Sequence, residues 1–192
     1  MKIVFAGGGT GGHVYPLLAV AAEIRAFAKS EQLIQPELFF LSDSPYDART
    51  LFELGLTFRK ITAGKTRRYF SLLNFFDLFK TGFGVLRALW VIYTIYPDVV
   101  FGKGGYASFP VLLAAKLLHI PVIIHESDSK PGRVSSWAAK FAKKIAISYP
   151  DAAQYFKKIT SEDKIAWTGQ PIRAEVSMKA AEGGKEFLDL ED

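Results

Sequence analysis

Short apolar runs recur along this chain at Ile3–Ala6, Leu38–Leu41, Phe58–Ile61, Val99–Phe101, Val122–His125, Ile145–Ser148 and Ile165–Thr168. Most are continuous rather than alternating, the pattern of strands covered on both faces. Between them, apolar residues spaced three and four apart predict helices over Leu17–Lys29, Tyr46–Leu54, Leu72–Tyr96, Phe109–Leu118, Val134–Ala142 and Asp151–Lys157. Strand and helix alternate with no internal repeat. That order predicts an α/β fold, a Rossmann-like doubly wound parallel sheet with right-handed crossovers.

Two stretches break the regularity. Lys65, Arg67 and Arg68 precede a helix bearing Phe75, Phe76, Phe79, Phe83, Leu86 and Trp90. Large apolar residues are too dense there for one buried stripe, so the surplus needs a partner or a membrane surface, and the basic cluster adds attraction to anionic headgroups. From Ser177 to Asp192 the chain turns glycine-rich and acidic without another strand. The expected organisation is one domain over 1–176 and a linker or tail over 177–192.

Chemistry collects in the turns. Gly7-Gly8-Gly9-Thr10-Gly11-Gly12-His13 joins the first strand to the first helix, where exposed backbone N–H groups favour an anion. Gly7-x-Gly9-x-x-Gly12 also satisfies the dinucleotide fingerprint, with Asp43 as a ribose partner, although His13, Pro16 and the distance to Asp43 sit poorly with an NAD site. A second glycine turn, Lys103-Gly104-Gly105-Tyr106, follows the fourth strand on the same edge of the sheet, which predicts a cleft between the two. His125-Glu126-Ser127-Asp128 ends the fifth strand on that edge and offers acid–base groups or sugar-hydroxyl ligands. His13 is the best isolated candidate for a general base, histidine being the side chain type that exchanges protons most readily near neutral pH. Arg173, in Gly169-Gln170-Pro171-Ile172-Arg173, suits a phosphate or carboxylate. The three histidines have no metal-ligand spacing, so no metal is expected.

Composition narrows this modestly. About half of the 192 residues are apolar (49%), enough for the core of one large domain. Lys plus Arg is 24 against 19 Asp plus Glu, a mild excess that is weak evidence for an anionic partner. The absence of cysteine removes disulfides, thiolate nucleophiles and cysteine metal sites. The chain enters a strand at once, without a signal-peptide pattern, and its longest uncharged apolar run, Ala88 to Tyr96, falls short of the roughly 20 residues a membrane span needs.

Taken together, Gly8 to Pro16, the Gly102–Tyr106 turn, Pro121 to Glu126 and Thr168 to Arg173 resemble the MurG family, the UDP-N-acetylglucosamine:lipid I transferases of peptidoglycan synthesis. The resemblance implies a two-domain GT-B glycosyltransferase, of which this chain supplies the N-terminal, acceptor-side domain and the linker, the C-terminal donor domain being absent. It implies inverting transfer of GlcNAc from UDP-GlcNAc to lipid I, giving lipid II, with no cofactor, no required metal and no nucleic-acid partner. It further implies a peripheral enzyme at an anionic membrane surface, on the cytoplasmic face of the cell membrane. By the same resemblance Thr10, Gly11, Gly12, Asp128 and Arg173 are donor-side positions. Gly104, Gly105, Tyr106 and Glu126 are acceptor-side positions, and His13 is catalytic. Asp128 stands where the family usually has asparagine, which exchanges an amide donor for an anion. With half the cleft missing, the chain alone is expected to transfer no sugar. Two other readings stay open at this point: a separate, non-catalytic acceptor-binding subunit of a split UDP-GlcNAc transferase, and an NAD-binding oxidoreductase.

Overall fold

A computed structural model of the chain describes residues 1–64 and 73–173. Lys65, Arg67, Arg68 and the expected linker from Ser177 lie outside the described residues. Seven parallel strands form one sheet: β1 (Lys2–Ala6), β2 (Glu37–Ser42), β3 (Leu56–Lys60), β4 (Val99–Gly102), β5 (Val122–Glu126), β6 (Lys144–Ile147) and β7 (Ile165–Trp167). Their spatial order is β3-β2-β1-β4-β5-β6-β7, the doubly wound arrangement expected from the alternating sequence. The order reverses between β1 and β4, which pair from Ile3↔Val99 to Ala6↔Gly102. In open α/β sheets this switch point, at the carboxyl ends of the strands, is where a crevice forms.

The helices are α1 (Gly11–Ser30), α2 (Ala48–Glu53), α3 (Leu73–Ile95), α4 (Phe109–Leu117), α5 (Arg133–Ala138) and α6 (Ala153–Phe156). Alternation along β1 divides the core. Ile3 and Phe5 pack with Val14, Leu17 and Leu18 of α1, while Val4 and Ala6 pack with Ala88 and Ile92 of α3 and Val111 and Leu112 of α4. All of these are 3% exposed or less.

Helix α1 begins at Gly11, six residues before the apolar periodicity that predicts a start at Leu17. Glycines carry no periodicity signal, and Pro16 reads as a boundary. In the fold Pro16 lies inside the helix, where it withholds the N–H that the Gly12 carbonyl would otherwise accept. Helix α3 is longer and more apolar than its uncharged run suggests. Its segment Phe75–Ile95, 21 residues with a mean hydropathy of 1.3, is long and apolar enough by length and composition to cross a membrane. Counting only the longest uncharged run did not register this, because Asp77, Lys80 and Arg87 interrupt it. Ala88, Ile92 and Ile95 nevertheless seat one face of α3 in the core. On its other face Phe75, Phe76, Phe79, Phe83, Leu86, Trp90 and Tyr93 are all more than half exposed.

Candidate functional site

The two glycine turns meet at the switch point, and each needs its glycines to admit the other. Gly9 has φ +85°, and a Cβ there would lie 2.5 Å from the Tyr106 ring. Gly105 has φ +76°, and a Cβ there would lie 3.0 Å from the His13 ring. Tyr106 is therefore laid over the first turn and His13 against the second, a fit that any side chain at either glycine would disrupt. The first turn stays open: Gly9, Thr10 and Gly12 are exposed, and Thr10 caps α1 without a side-chain hydrogen bond. The α1 amino end thus presents main-chain N–H groups and the positive end of a 20-residue helix to the crevice.

His13 is half-buried, with Nδ1 3.3 Å from the Lys103 carbonyl. A carbonyl only accepts, so Nδ1 carries the proton in this contact and a neutral ring keeps its lone pair on Nε2. The Tyr106 hydroxyl donates to Asp43 Oδ2 at 2.7 Å. Burial, reinforced by that bond, pushes the phenol's pKa up, so it stays protonated at physiological pH. Asp43 also accepts from the Ser42 hydroxyl at 3.2 Å. The carboxylate that a dinucleotide reading assigns to a ribose is thus engaged in holding the second turn.

Gly11, Gly12 and Arg173 come together, with Tyr15, Pro16 and Gln170–Ile172, around an open pocket of about 270 Å³. The Arg173 guanidinium lies 4.3 Å from the Tyr15 ring centroid, a cation–π contact that aims it beside the α1 amino end. Tyr15 meets Tyr46 edge to face at 5.8 Å. Asp128 and Glu126 do not line this pocket. Asp128 is exposed on the next loop, where its main-chain N–H donates to Glu126. Glu126 is 6% exposed, and its two carboxylate oxygens accept N–H bonds from Asp128 and Gly132, both at 3.1 Å. In this arrangement Glu126 braces the loop from 127 to 132.

Beneath these residues runs a polar network whose partners are remote in sequence. Lys103 is 2% exposed and donates from Nζ to the Ser127 hydroxyl. Burial pulls its ammonium pKa down to about 8, against the opposing pull of Glu126 and Asp128. The Ser127 and Ser148 hydroxyls both donate to Gln170 Oε1, at 2.8 and 2.7 Å. His125 Nε2 donates to the Gly169 carbonyl at 3.1 Å, while its buried Nδ1 has no partner among the described residues. Burial drives the His125 ring pKa down to about 4, so it is neutral. Lys103, Ser127, Ser148 and Gln170 therefore hold the segment Gly169–Arg173 against the domain. Sequence reasoning assigned none of the four. The available signal was a lysine between two glycines at the end of an apolar strand, where a charge has to find a partner.

Relatives fit this geometry. Residues 3–147 match the N-terminal domain of glycosyltransferase family 28. A Legionella pneumophila (strain Lens) protein named UDP-N-acetylglucosamine–N-acetylmuramyl-(pentapeptide) pyrophosphoryl-undecaprenol N-acetylglucosamine transferase is 40% identical over 175 residues, 91% of this chain and 46% of that protein. A protein of the same name from Treponema pallidum (strain Nichols) is 37% identical over 190 residues, 98% of this chain and 48% of its own length. Among solved structures, the crystal structure of Acinetobacter baumannii MurG superposes with a TM-score of 0.65 at 24% identity, over 92% of this chain and 47% of that one. The chain spans about half the length of the curated relatives it matches. With three quarters of its length matched by the family's N-terminal domain, and the switch-point crevice in place, this chain belongs to glycosyltransferase family 28.

Proposed function

We propose that this chain is the acceptor- and membrane-side half of an inverting transferase that moves GlcNAc from UDP-GlcNAc to the muramoyl hydroxyl of lipid I, forming lipid II. The observation that carries the reading is the interlock of the two glycine turns, which leaves His13 Nε2 with a free lone pair beside open backbone N–H groups. The names of the relatives support the choice of substrates. In the proposed reaction His13 Nε2 takes the proton of the acceptor hydroxyl as its oxygen attacks the anomeric carbon. The bond from that carbon to the UDP phosphate oxygen breaks, and UDP leaves with the electron pair. The α1 amino end, with Arg173 beside it, balances phosphate charge at the crevice. Thr10, Gly11, Gly12 and Arg173 serve the donor side, with Asp128 at its margin. Gly104, Gly105 and Tyr106 shape the acceptor side, and Glu126 keeps the neighbouring loop in place.

The acceptor is a lipid, so the protein works at a bilayer surface, on its cytoplasmic side. The exposed face of α3 supports this: seven large apolar side chains stand in solvent there, more than an unpartnered surface helix carries. Lys65, Arg67 and Arg68 add attraction to anionic headgroups. A C-terminal domain completes the donor side. The test mixes this chain with the donor-binding half of one of its relatives and follows labelled GlcNAc from UDP-GlcNAc into lipid I in vesicles. Transfer by the mixture and by neither half alone is the expected result; a folded, associated mixture with no transfer would refute the reading.

A further inference from the structure

The proposed reaction leaves a buried cation beside the crevice without a part. Among the described residues Lys103, 2% exposed, is the only buried lysine or arginine. Taking an ammonium out of water is costly, and an apolar side chain of similar length would fill the same space without that cost. The charge therefore has to answer to its partners, and they lie at both ends of the residue.

The near end is main chain. Lys103 sits between Gly102 and the pair Gly104-Gly105, so it is the only residue of this glycine run with a side chain to pin it. Its neighbours have to be glycine: a Cβ at Gly102 would lie 2.8 Å from Leu112, and one at Gly104, where φ is +75°, 2.7 Å from the Ser135 hydroxyl. The Lys103 N–H donates to the Ala6 carbonyl at 2.9 Å, and its Cβ lies 3.4 Å from where a Cβ on Gly7 would stand. Its carbonyl then accepts from His13 Nδ1 at 3.3 Å. The far end is the ammonium. Nζ donates to the Ser127 hydroxyl, on the side where Glu126 and Asp128 attract it. Ser127 donates to Gln170 Oε1 at 2.8 Å. Three residues on, the Arg173 guanidinium lies 4.3 Å from the Tyr15 ring centroid, beside the α1 amino end.

We propose that Lys103 is a positioning residue that sets both reactive ends of the crevice. Its carbonyl fixes the tautomer and direction of the His13 ring. Its ammonium, through Ser127 and Gln170, fixes the segment that carries Arg173. Without the buried anchor, a turn made otherwise of glycines loses what holds the carbonyl in place. What the two ends do rests on the transferase reading; the link between them does not.

The test uses Ser127→Ala, which cuts only the far branch, and Lys103→Met, which releases both. In the ¹⁵N-labelled chain, Ser127→Ala should lower the backbone order parameters of Gln170, Ile172 and Arg173 from about 0.85 to about 0.6 and leave the His13 ring nitrogens unmoved. Lys103→Met should lower them as much and also average the two His13 tautomers in ring ¹⁵N spectra. In the reconstituted transferase, Ser127→Ala should raise the KM for UDP-GlcNAc about tenfold without a matching fall in kcat, a factor within reach of a hydrogen bond to a charged group. Lys103→Met should raise that KM equally and lower kcat by about tenfold as well. In an Arg173→Ala background neither change should raise KM further, because both act through the arginine. Unchanged order parameters and an unchanged His13 spectrum in Lys103→Met would overturn the proposal, as would KM losses that add in full to that of Arg173→Ala. Should Lys103→Met fail to fold, a rigid Gln170–Arg173 segment in Ser127→Ala would overturn it. If the spectra change as expected but the wild-type mixture transfers no sugar, the link stands and the transferase reading falls.

Discussion

The carboxyl edge of the sheet and the outer face of α3 depart from ordinary protein surface in opposite ways. At the edge, side chains are withdrawn: glycines leave bare N–H groups around a crevice, and the nearest titratable groups are held by hydrogen bonds to the fold. On α3, large side chains are pushed outward: Phe83 is 70% exposed and Trp90 68%, and Phe75 and Phe79 touch each other at 4.9 Å rather than the core. A surface that offers donors without side chains fits a compact anion. A surface made chiefly of rings and aliphatic side chains fits hydrocarbon. The two carry separate residues on one rigid sheet, so an enzyme using both can hold a soluble donor and a lipid-linked acceptor at once.

The comparison breaks most sharply at His13. In the reconstituted transferase, His13→Ala should lower turnover by about 10²–10⁴-fold with the circular dichroism spectrum unchanged. Unchanged turnover would remove His13 as the base and leave the edge with binding alone. Next comes α3, where the two faces should respond in opposite senses. Phe79→Ser/Phe83→Ser/Trp90→Ser should cut vesicle partitioning by two orders of magnitude or more, since each large apolar side chain contributes about 1.5–3 kcal/mol when buried. Its thermal unfolding should hold steady, because these residues are exposed in the free protein. Ile92→Ala, on the buried face, should cost about 2–5 kcal/mol of stability and leave the partitioning of folded protein alone.

Smaller effects sharpen the picture of the edge. His125 is neutral in the fold, with a pKa of about 4 against 6.5 when unfolded. As pH falls from 6.5 towards 4 the unfolded chain takes up a proton that the folded chain refuses. Stability should therefore drop by roughly 2–3 kcal/mol over that window and flatten below it. His125→Gln should remove that part of the slope in urea titrations followed at each pH; an unaltered slope would place the lost stability elsewhere. Gln170→Ala should cost about 1 kcal/mol and speed amide hydrogen exchange at Gly169 and Ile172, with α4 unaffected as the control.

The sheet was legible because most of its strands announce themselves locally: continuous apolar runs are what burial on both faces requires, and the edge strand β3, which carries Arg59 and Lys60, is the clear exception. Both glycine turns were legible for the same reason, being short motifs at strand ends. The start of α1 was not, because Gly11 and Gly12 carry no apolar period and Pro16 looks like a boundary when read without its helix. The polar network was not legible either. Gln170 meets Ser127 and Ser148 across gaps of 43 and 22 residues, and nothing local marks a glutamine as a partner for two hydroxyls. Glu126 shows the converse limit. Its position at a strand end marks it as chemically interesting, but only the fold reveals that both of its oxygens brace a loop.

The claim at the centre of this account is that the bare backbone at the carboxyl edge, and not the rest of the surface, receives the phosphorylated sugar. Amide chemical-shift mapping of the ¹⁵N-labelled chain with a short-chain, water-soluble analogue of lipid I tests it most directly. The account predicts that the largest shifts fall on His13, Gly104, Gly105 and Tyr106, with the α3 amides unmoved. Shifts confined to α3 or scattered over the surface, with both glycine turns silent, would contradict it.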